Sequence, residues 1–411
     1  MKTGFLAQPS EEQRQTMIKL AHEYGYCVAE IDFEKSWKNI PVADCKNHAG
    51  KFWEERHKDS VRKGSRIFFS SGGSTGQPKY TLLNFSEVEQ NSAIHGKGYR
   101  ACGVLPSDVV ATWGTPGIMS SEFTVYLALS HTGACILPIG DTSDPKSIIE
   151  IIRNFNASVL LVMPSDLSPI IALIEASGER LDNVRLIITG GEPLYEADEQ
   201  RFRSFFSPKI VFRSVFQTSD TGTIGYQCPC CERGEYHVHD SLQILEIDNQ
   251  DEQGVGDLVT TNLGRKLVPI VRVKTGDRVF EIPEKCACGI SSPRIRFLGR
   301  SGRICKVGGE KFDLNRLNEI KEALTLPVDD FQITLSREEG LDQFTLLSNR
   351  VVQDSSLQEQ AKNIFDNISQ KLSTQLSRGV IRPLKFLALD RTNVVLSPSG
   401  KFVSFRDTRG I

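Results

Sequence analysis

FFSSGGSTGQPKY, from Phe68 to Tyr80, is the stretch on which the reading of this chain turns. Two apolar residues close a strand, and three Ser, one Thr and three Gly follow within seven positions, before Gln77, Pro78 and Lys79. Such a run bends freely, and its backbone N–H groups and hydroxyls converge on an anion with no bulky side chain in the way. An exposed linker has a similar composition, so the stretch needs companions before it means phosphate. A Walker-type loop is excluded: it requires lysine directly after its second glycine, and here Gly76 is followed by Gln77 and Pro78.

Working outward, 411 residues are enough for two or more domains with a sizeable core. The 49 basic and 51 acidic residues leave a net charge of -2, which argues against nucleic acid as a partner. A small molecule or a protein is expected instead. The N-terminal MKTGFLAQPSEEQRQ has no apolar signal region, and no apolar run approaches the roughly 18 residues that span a bilayer, so a cytoplasmic protein with no membrane association is expected. Ten Cys in that compartment read as thiols or metal ligands.

Before the loop, residues 10–25 carry a capping box from Ser10 to Gln13 and an apolar face of Met17, Ile18, Leu20, Ala21 and Tyr24, which predicts a helix. After it, Ser86 with Glu89 predicts the start of another. From 108 to 216 short apolar strands alternate with helical patterns, implying a parallel sheet with right-handed crossovers. Ligands on such sheets sit beyond the carboxyl ends of the strands. From 241 to 281 the pattern changes to short alternating strands, a small antiparallel or barrel-like subdomain. The residues after 300 read as helix, two strands, helix Ser356 to Thr374 and strand, a compact α+β unit. The fold class is therefore α/β, with a large N-terminal domain of layered sheets and a small C-terminal domain.

Several stretches fall at predicted strand ends. ITGGEPL (Ile188 to Leu194) offers bare backbone against which a flat ring can lie, although an ordinary strand-to-helix turn has the same composition. In FQTSDTGTIGY, Phe216 can stack on a purine, Ser219 can reach a phosphate and Asp220 can hold Mg²⁺. In VPIVRVKTGDRV, Asp277 follows Thr-Gly where a carboxylate can accept two ribose hydroxyls, or where a hairpin simply turns. Arg300 and Lys401 complete the set.

In their order these motifs resemble the adenylate-forming superfamily of acyl- and aryl-CoA ligases and peptide-synthetase adenylation domains, most closely the phenylacetate-CoA ligase branch with its relatives in antibiotic and phenazine biosynthesis. The resemblance implies an ATP-dependent ligase with an N-terminal domain over 1–300 and a mobile C-terminal lid over 301–411, hinged near Ser301 to Arg303. It implies that Ser71, Gly72, Gly73, Ser74, Thr75, Gly76 and Lys79 cradle the ATP phosphates, that Gly191, Glu192 and Pro193 border adenine, and that Phe216 stands where the family commonly has Tyr. Ser219 and Asp220 would serve phosphate and Mg²⁺, Asp277 the ribose, Arg300 the nucleotide, and Lys401 would bridge the carboxylate and the α-phosphate. A carboxylic acid, aromatic by resemblance, would be activated as its adenylate and passed to coenzyme A, or alternatively to a carrier-protein thiol or a reductase, by a monomer or homodimer. Trp113 to Ser120, with Gly114, Gly117 and Met119, and Gly190 are pocket candidates. Gly302 and Phe216 depart from the family pattern, and a non-catalytic zinc-stapled scaffold is the rival reading.

The cysteines form their own motif. Cys228 and Cys231 make a CxxC, Cys286 and Cys288 a CxC, and His237 lies between them, a spacing that fits a structural Zn²⁺ site. Spacing favours the four thiols; the resemblance favours His237 in place of Cys231. Four ligands with others to spare leave no open position for catalysis.

Overall fold

The computed structural model describes residues 4–44, 64–71, 79–112, 114, 117, 121–140, 144–300, 304–327, 330–390, 392–394 and 405–409. Within these the chain forms two compact units: 1–162 with 181–193 and 206–302, and 163–180 with 194–205 and 303–411. The expected hinge at 301–303 lies outside the described residues.

The first unit is built on one thirteen-stranded sheet. Its parallel part runs in the order Cys135–Pro138, Val109–Thr112, Val159–Val162, Leu186–Thr189, Val211–Thr218. The strands at 159–162 and 186–189 are buried on both faces, as continuous runs of Val, Leu and Ile require. Helices Phe85–Cys102 and Ser121–Ser130 cover one face, where Tyr99, Val125 and Leu129 pack on Val110, Val159, Ile188 and Val215. Leaving Val109–Thr112, the chain goes to the edge strand at 135–138, then crosses back to 159–162. The sheet therefore reverses its winding between Val109–Thr112 and Val159–Val162, the kind of crevice in which open α/β sheets bind ligands.

From Gly222 the same sheet turns antiparallel, through Gly222–Tyr226, Glu235–Val238, Arg294–Arg300, Ile270–Ile282, Gly256–Asn262 and Gln243–Asp248 to Gly4–Phe5. Strands at 243–248 and 256–262 fold back on the hairpin, because Gln243 and Asn262 donate from their side-chain amides to the Thr221 carbonyl at 3.0 and 2.8 Å. Helix Glu11–Glu23 packs on this part through Met17, Leu20 and Ala21 against Ile244 and Val271, and helix Phe33–Lys38 is pinned to it by a buried ion pair. Arg272 donates to both oxygens of Glu246, at 3.0 and 2.9 Å, and also to the carbonyls of Trp37, Lys38 and Ile40. Such a pair holds only because every polar atom has a partner.

The second unit has its own core of Phe331, Ile333, Leu335, Phe344, Leu346 and Phe365. The hairpin Gln332–Glu338 and Leu341–Leu347 forms the centre of a four-stranded sheet, flanked by Lys385–Leu387 and Phe405–Asp407. Within it Asp342 lies between two guanidinium groups, Arg337 at 2.9 Å and Arg409 at 3.0 Å, while Arg337 also reaches Asp198 at 2.8 Å. Helix Glu196–Arg203 is thus tied to the C-terminal strands by charge as well as packing.

Three expectations are corrected. The helix after the loop starts at Phe85, since Asn84 accepts from the Glu87 amide and Glu87 accepts from the Asn84 amide, a reciprocal box two residues earlier than Ser86 with Glu89. The helix expected over 356–374 is two, Ser355–Asn367 and Gln370–Ser377, because Ser369 caps a new start by accepting from the Leu372 amide. Asp277 lies inside the long strand Ile270–Ile282 rather than at a strand end: Gly276 takes φ +80°, which allows a bulge where a turn was expected.

Candidate active site

Two sequence-predicted segments meet at the carboxyl ends of neighbouring parallel strands. Leu186–Thr189 pairs with Val211–Thr218, Thr189 lying opposite Ser214 with their hydroxyls 2.7 Å apart. Gly190 and Gly191 therefore emerge beside Val215 and Phe216. A Cβ at Gly190 would sit 3.1 Å from the Val215 side chain, so the backbones run too close there for a larger residue without repacking. Gly191 takes φ +82° and turns the chain into Glu192 and Pro193. Phe216 faces away from Val215, as alternation along a strand demands. Its ring packs at 5.5 Å against both Tyr236 and Phe297 and is half-buried.

Ser219 and Asp220 occupy the turn of the hairpin between Val211–Thr218 and Gly222–Tyr226. That turn is built by its own threonines: the Thr221 amide donates to Thr218 Oγ1 at 3.0 Å, and the two hydroxyls are 2.8 Å apart. Gly222 continues it at φ +86°. With the Thr221 carbonyl fixed by Gln243 and Asn262, the turn is anchored from both sides while Ser219 is exposed and Asp220 half-buried.

Asp277 and Arg300, 23 positions apart in sequence, are cross-strand partners. Asp277 is buried, and its amide donates to Thr275 Oγ1 at 3.2 Å, which anchors the bulge. Of the phosphate loop, Gly72, Gly73, Ser74, Thr75 and Gly76 lie outside the described residues, and so does Lys401. Ser71 and Lys79 are described as paired strand residues at either side of that segment.

Sequence reasoning passed over three groups near these segments. Glu122, in the first turn of helix Ser121–Ser130, accepts from Thr112 Oγ1 at 2.7 Å, and burial raises its carboxyl above the usual range. Gly114 leaves the room it occupies, because a Cβ there would clash with the Glu122 carboxylate. Asn262 and Arg265 belong to the turn after Gly256–Asn262. No motif marks them; the available signal is the polar run TTNLGR within a region read as alternating strands.

The thiols gather as their spacing requires. Cys228 Sγ is 3.6 Å from Cys231 Sγ and 3.5 Å from Cys286 Sγ, and Cys288 Sγ is 3.3 Å from His237 Nε2. The donor atoms of Cys228, Cys231, His237 and Cys286 lie within 4.8 Å of one another. A zinc tetrahedron with bonds near 2.3 Å has S···S edges of about 3.8 Å, so these residues fit the ion. The distances are far beyond a disulfide. His237 Nδ1 is 3.0 Å from Ser292 Oγ, which turns Nε2 toward the thiols. Burial pushes Cys228 up to about 11 and raises Cys231, so a cation would be needed to hold both as thiolates. Cys230 is exposed and outside the group.

The AMP-binding enzyme family matches residues 9–232. Among curated proteins, the indoleacetate–lysine synthetase of Pseudomonas savastanoi is 23% identical over 60% of this chain and 67% of its own length. The phenylacetate-coenzyme A ligase of Thermus thermophilus is 22% identical over 67% of this chain and 64% of its own. This chain thus spans about two thirds of the length of these relatives. Among solved structures, 2-hydroxyisobutyryl-CoA ligase superposes with TM-score 0.69 at 15% identity, over 96% of this chain and 86% of the other, which establishes the shared layered α/β fold.

Proposed function

The chain belongs to the AMP-binding enzyme family, and we propose that it uses ATP to convert a carboxylic acid into its acyl-adenylate and then passes the acyl group to a thiol. The observation that carries this reading is that Gly190–Pro193 leaves the carboxyl end of Leu186–Thr189 against Val215 of the adjacent strand, whose own carboxyl end leads into the Ser219–Asp220 turn, in a member of that family. Acid activation needs a nucleotide held where water is excluded, with positive charge around the phosphates.

In the first step a carboxylate oxygen bonds to the α-phosphorus, the bond from that phosphorus to the bridging oxygen breaks, and pyrophosphate leaves with the electron pair. In the second a sulfur attacks the acyl carbon, AMP leaves and the thiol proton is lost. Asp220 is the proposed holder of Mg²⁺, which would supply countercharge to the phosphates. Gly191, Glu192, Pro193 and Phe216 would border the base, Asp277 with Arg300 the ribose, and Ser71 to Lys79 with Lys401 the transferring phosphoryl group. The crevice beside the 113–120 loop, which contains Gly114 and Gly117, is the proposed acid pocket. Four of Cys228, Cys231, His237, Cys286 and Cys288 would hold a structural Zn²⁺.

The phenylacetate-coenzyme A ligases among the relatives support an aromatic acid and coenzyme A. Indoleacetate–lysine synthetase supports a second reading in which an amine takes the acyl group. A carrier-protein thiol and a reductase are further acceptors. ATP–pyrophosphate exchange over a panel of aromatic and aliphatic acids tests the first step, with Lys401→Ala as control; no exchange with any acid would leave only the scaffold reading. AMP release with coenzyme A, a carrier protein or lysine then identifies the acceptor.

A further inference from the structure

Arg265 sits where three parts of the candidate site join. It follows Gly264, whose amide donates to Asn262 Oδ1 at 2.9 Å and whose missing Cβ would lie 2.7 Å from Leu242. That tight turn buries the guanidinium, which is 4% exposed. One of its nitrogens, Nη2, donates to Thr81 Oγ1, in the strand Lys79–Asn84 that follows the Ser/Gly loop. Nε is buried with no hydrogen-bond partner among the described residues.

Burial pulls the Arg265 guanidinium down to about 10, against the opposing charges of Glu87 and Asp220, so it remains a cation at neutral pH. The two carboxylates are not equivalent. Glu87 is committed to backbone: one oxygen accepts from the amides of Lys266 and Leu267 at 2.5 and 2.7 Å, the other from Asn84 at 2.8 Å. Asp220 rides on the hairpin turn whose Thr221 carbonyl is held by Asn262, three residues before Arg265. A buried cation with an unmet N–H, bonded to the strand Lys79–Asn84 and three residues from the Asn262 that holds the Asp220–Thr221 turn, is placed to balance that turn's charge.

We propose that Arg265 is a positioning residue that acts through Asp220: it offsets the turn carboxylate when no nucleotide is bound and yields that carboxylate to the divalent cation that arrives with ATP. The inference rests on the reading of Asp220 as the metal-holding residue. It makes two affinities move in opposite directions. Without Arg265 the carboxylate attracts a bare divalent cation more strongly, while the polyanionic nucleotide loses a nearby positive charge. A residue that served only to support the fold would weaken both together.

The test titrates the full-length protein with Mn²⁺ alone, followed by loss of the free-ion paramagnetic resonance signal, and with ATP in the presence of Mg²⁺ by calorimetry. Arg265→Gln is expected to bind bare Mn²⁺ about tenfold more tightly and ATP about tenfold more weakly, the scale of one unit charge at this range. Arg265→Lys, which keeps the charge and loses the fork, is expected to restore both values to within roughly threefold of the wild type. Should Arg265→Gln weaken both ligands, or move neither, or should Arg265→Lys shift as far as Arg265→Gln, the proposal is overturned. Asp220→Asn separates the two layers: if it leaves Mn²⁺ binding unchanged, the metal role of Asp220 is wrong, whereas an Asp220 effect without an Arg265 effect removes only this inference.

Discussion

The hairpin of Val211–Thr218 and Gly222–Tyr226 carries different chemistry at its two ends. At its tip, the Ser219–Asp220 turn is made by local contacts, Thr218 with Thr221, and is braced by single hydrogen bonds from Gln243 and Asn262. At its base, Cys228 and Cys231 meet Cys286, 58 positions after Cys228, so that end exists only once distant segments have come together. The strand Gly222–Tyr226 alone separates the ends by about 15 Å. On the proposed reading a cation among the thiols would act on folding, and the tip on phosphate chemistry. The hairpin itself is the shared element through which one could disturb the other.

That contrast can be broken most sharply by variants aimed at the proposed phosphate chemistry. Lys401→Ala, and separately Asp220→Asn, should lower ATP–pyrophosphate exchange on the order of 10² to 10³-fold with little change in Tm. A parallel collapse of Tm would show that the tip is structural after all. At the base the pattern should invert. Cys286→Ser should remove the bound zinc found by metal analysis of purified protein and lower Tm by roughly ten degrees, whereas protein still folded should exchange at near the parent rate. Zinc-free protein of unchanged Tm would dismiss the staple.

Smaller effects sharpen the boundaries of the comparison. Glu246→Gln should destabilise the first unit by about 3–5 kcal/mol in urea, because it leaves Arg272 buried and short of its counter-charge. His95, buried against Tyr99 beside the same hairpin, is pulled down from 6.5 to about 4 by burial. It stays neutral in the folded chain while the unfolded chain takes up a proton, so stability should fall as pH drops from about 6.5 to about 4. His95→Gln should flatten that part of the urea-midpoint profile. Asn84→Ala, which removes one cap, should cost only about 1 kcal/mol.

Much of the parallel sheet was legible in the sequence because buried strands leave continuous apolar runs and the helices between them leave periodic ones. The thiol cluster was legible for another reason: metal donors must be Cys or His and come in short spacings. The Asp277 position was misread, since Thr-Gly-Asp writes a bulge and a hairpin turn with the same letters and only the pairing of Ile270–Ile282 on both sides separates them. The helix start at Asn84 was misplaced and the one at Ser369 missed, because several adjacent residues can cap, and the choice depends on which side chain reaches its third amide.

By itself the sequence determined which chemistry was available: a Ser/Gly-rich stretch before a helix, carboxylates after glycine or serine, and thiols in pairs. Those are properties of residue type and near spacing, which local sterics and bonding preferences fix. Only the tertiary structure decided what stands next to what: Gly190 against Val215, Asp277 opposite Arg300, Cys228 beside Cys286, and a buried Arg265 bonded to Thr81. Neighbours of that kind are set by strand order and burial across tens or hundreds of positions, and a cation such as Arg265 gains its meaning from the charges around it rather than from the letters beside it.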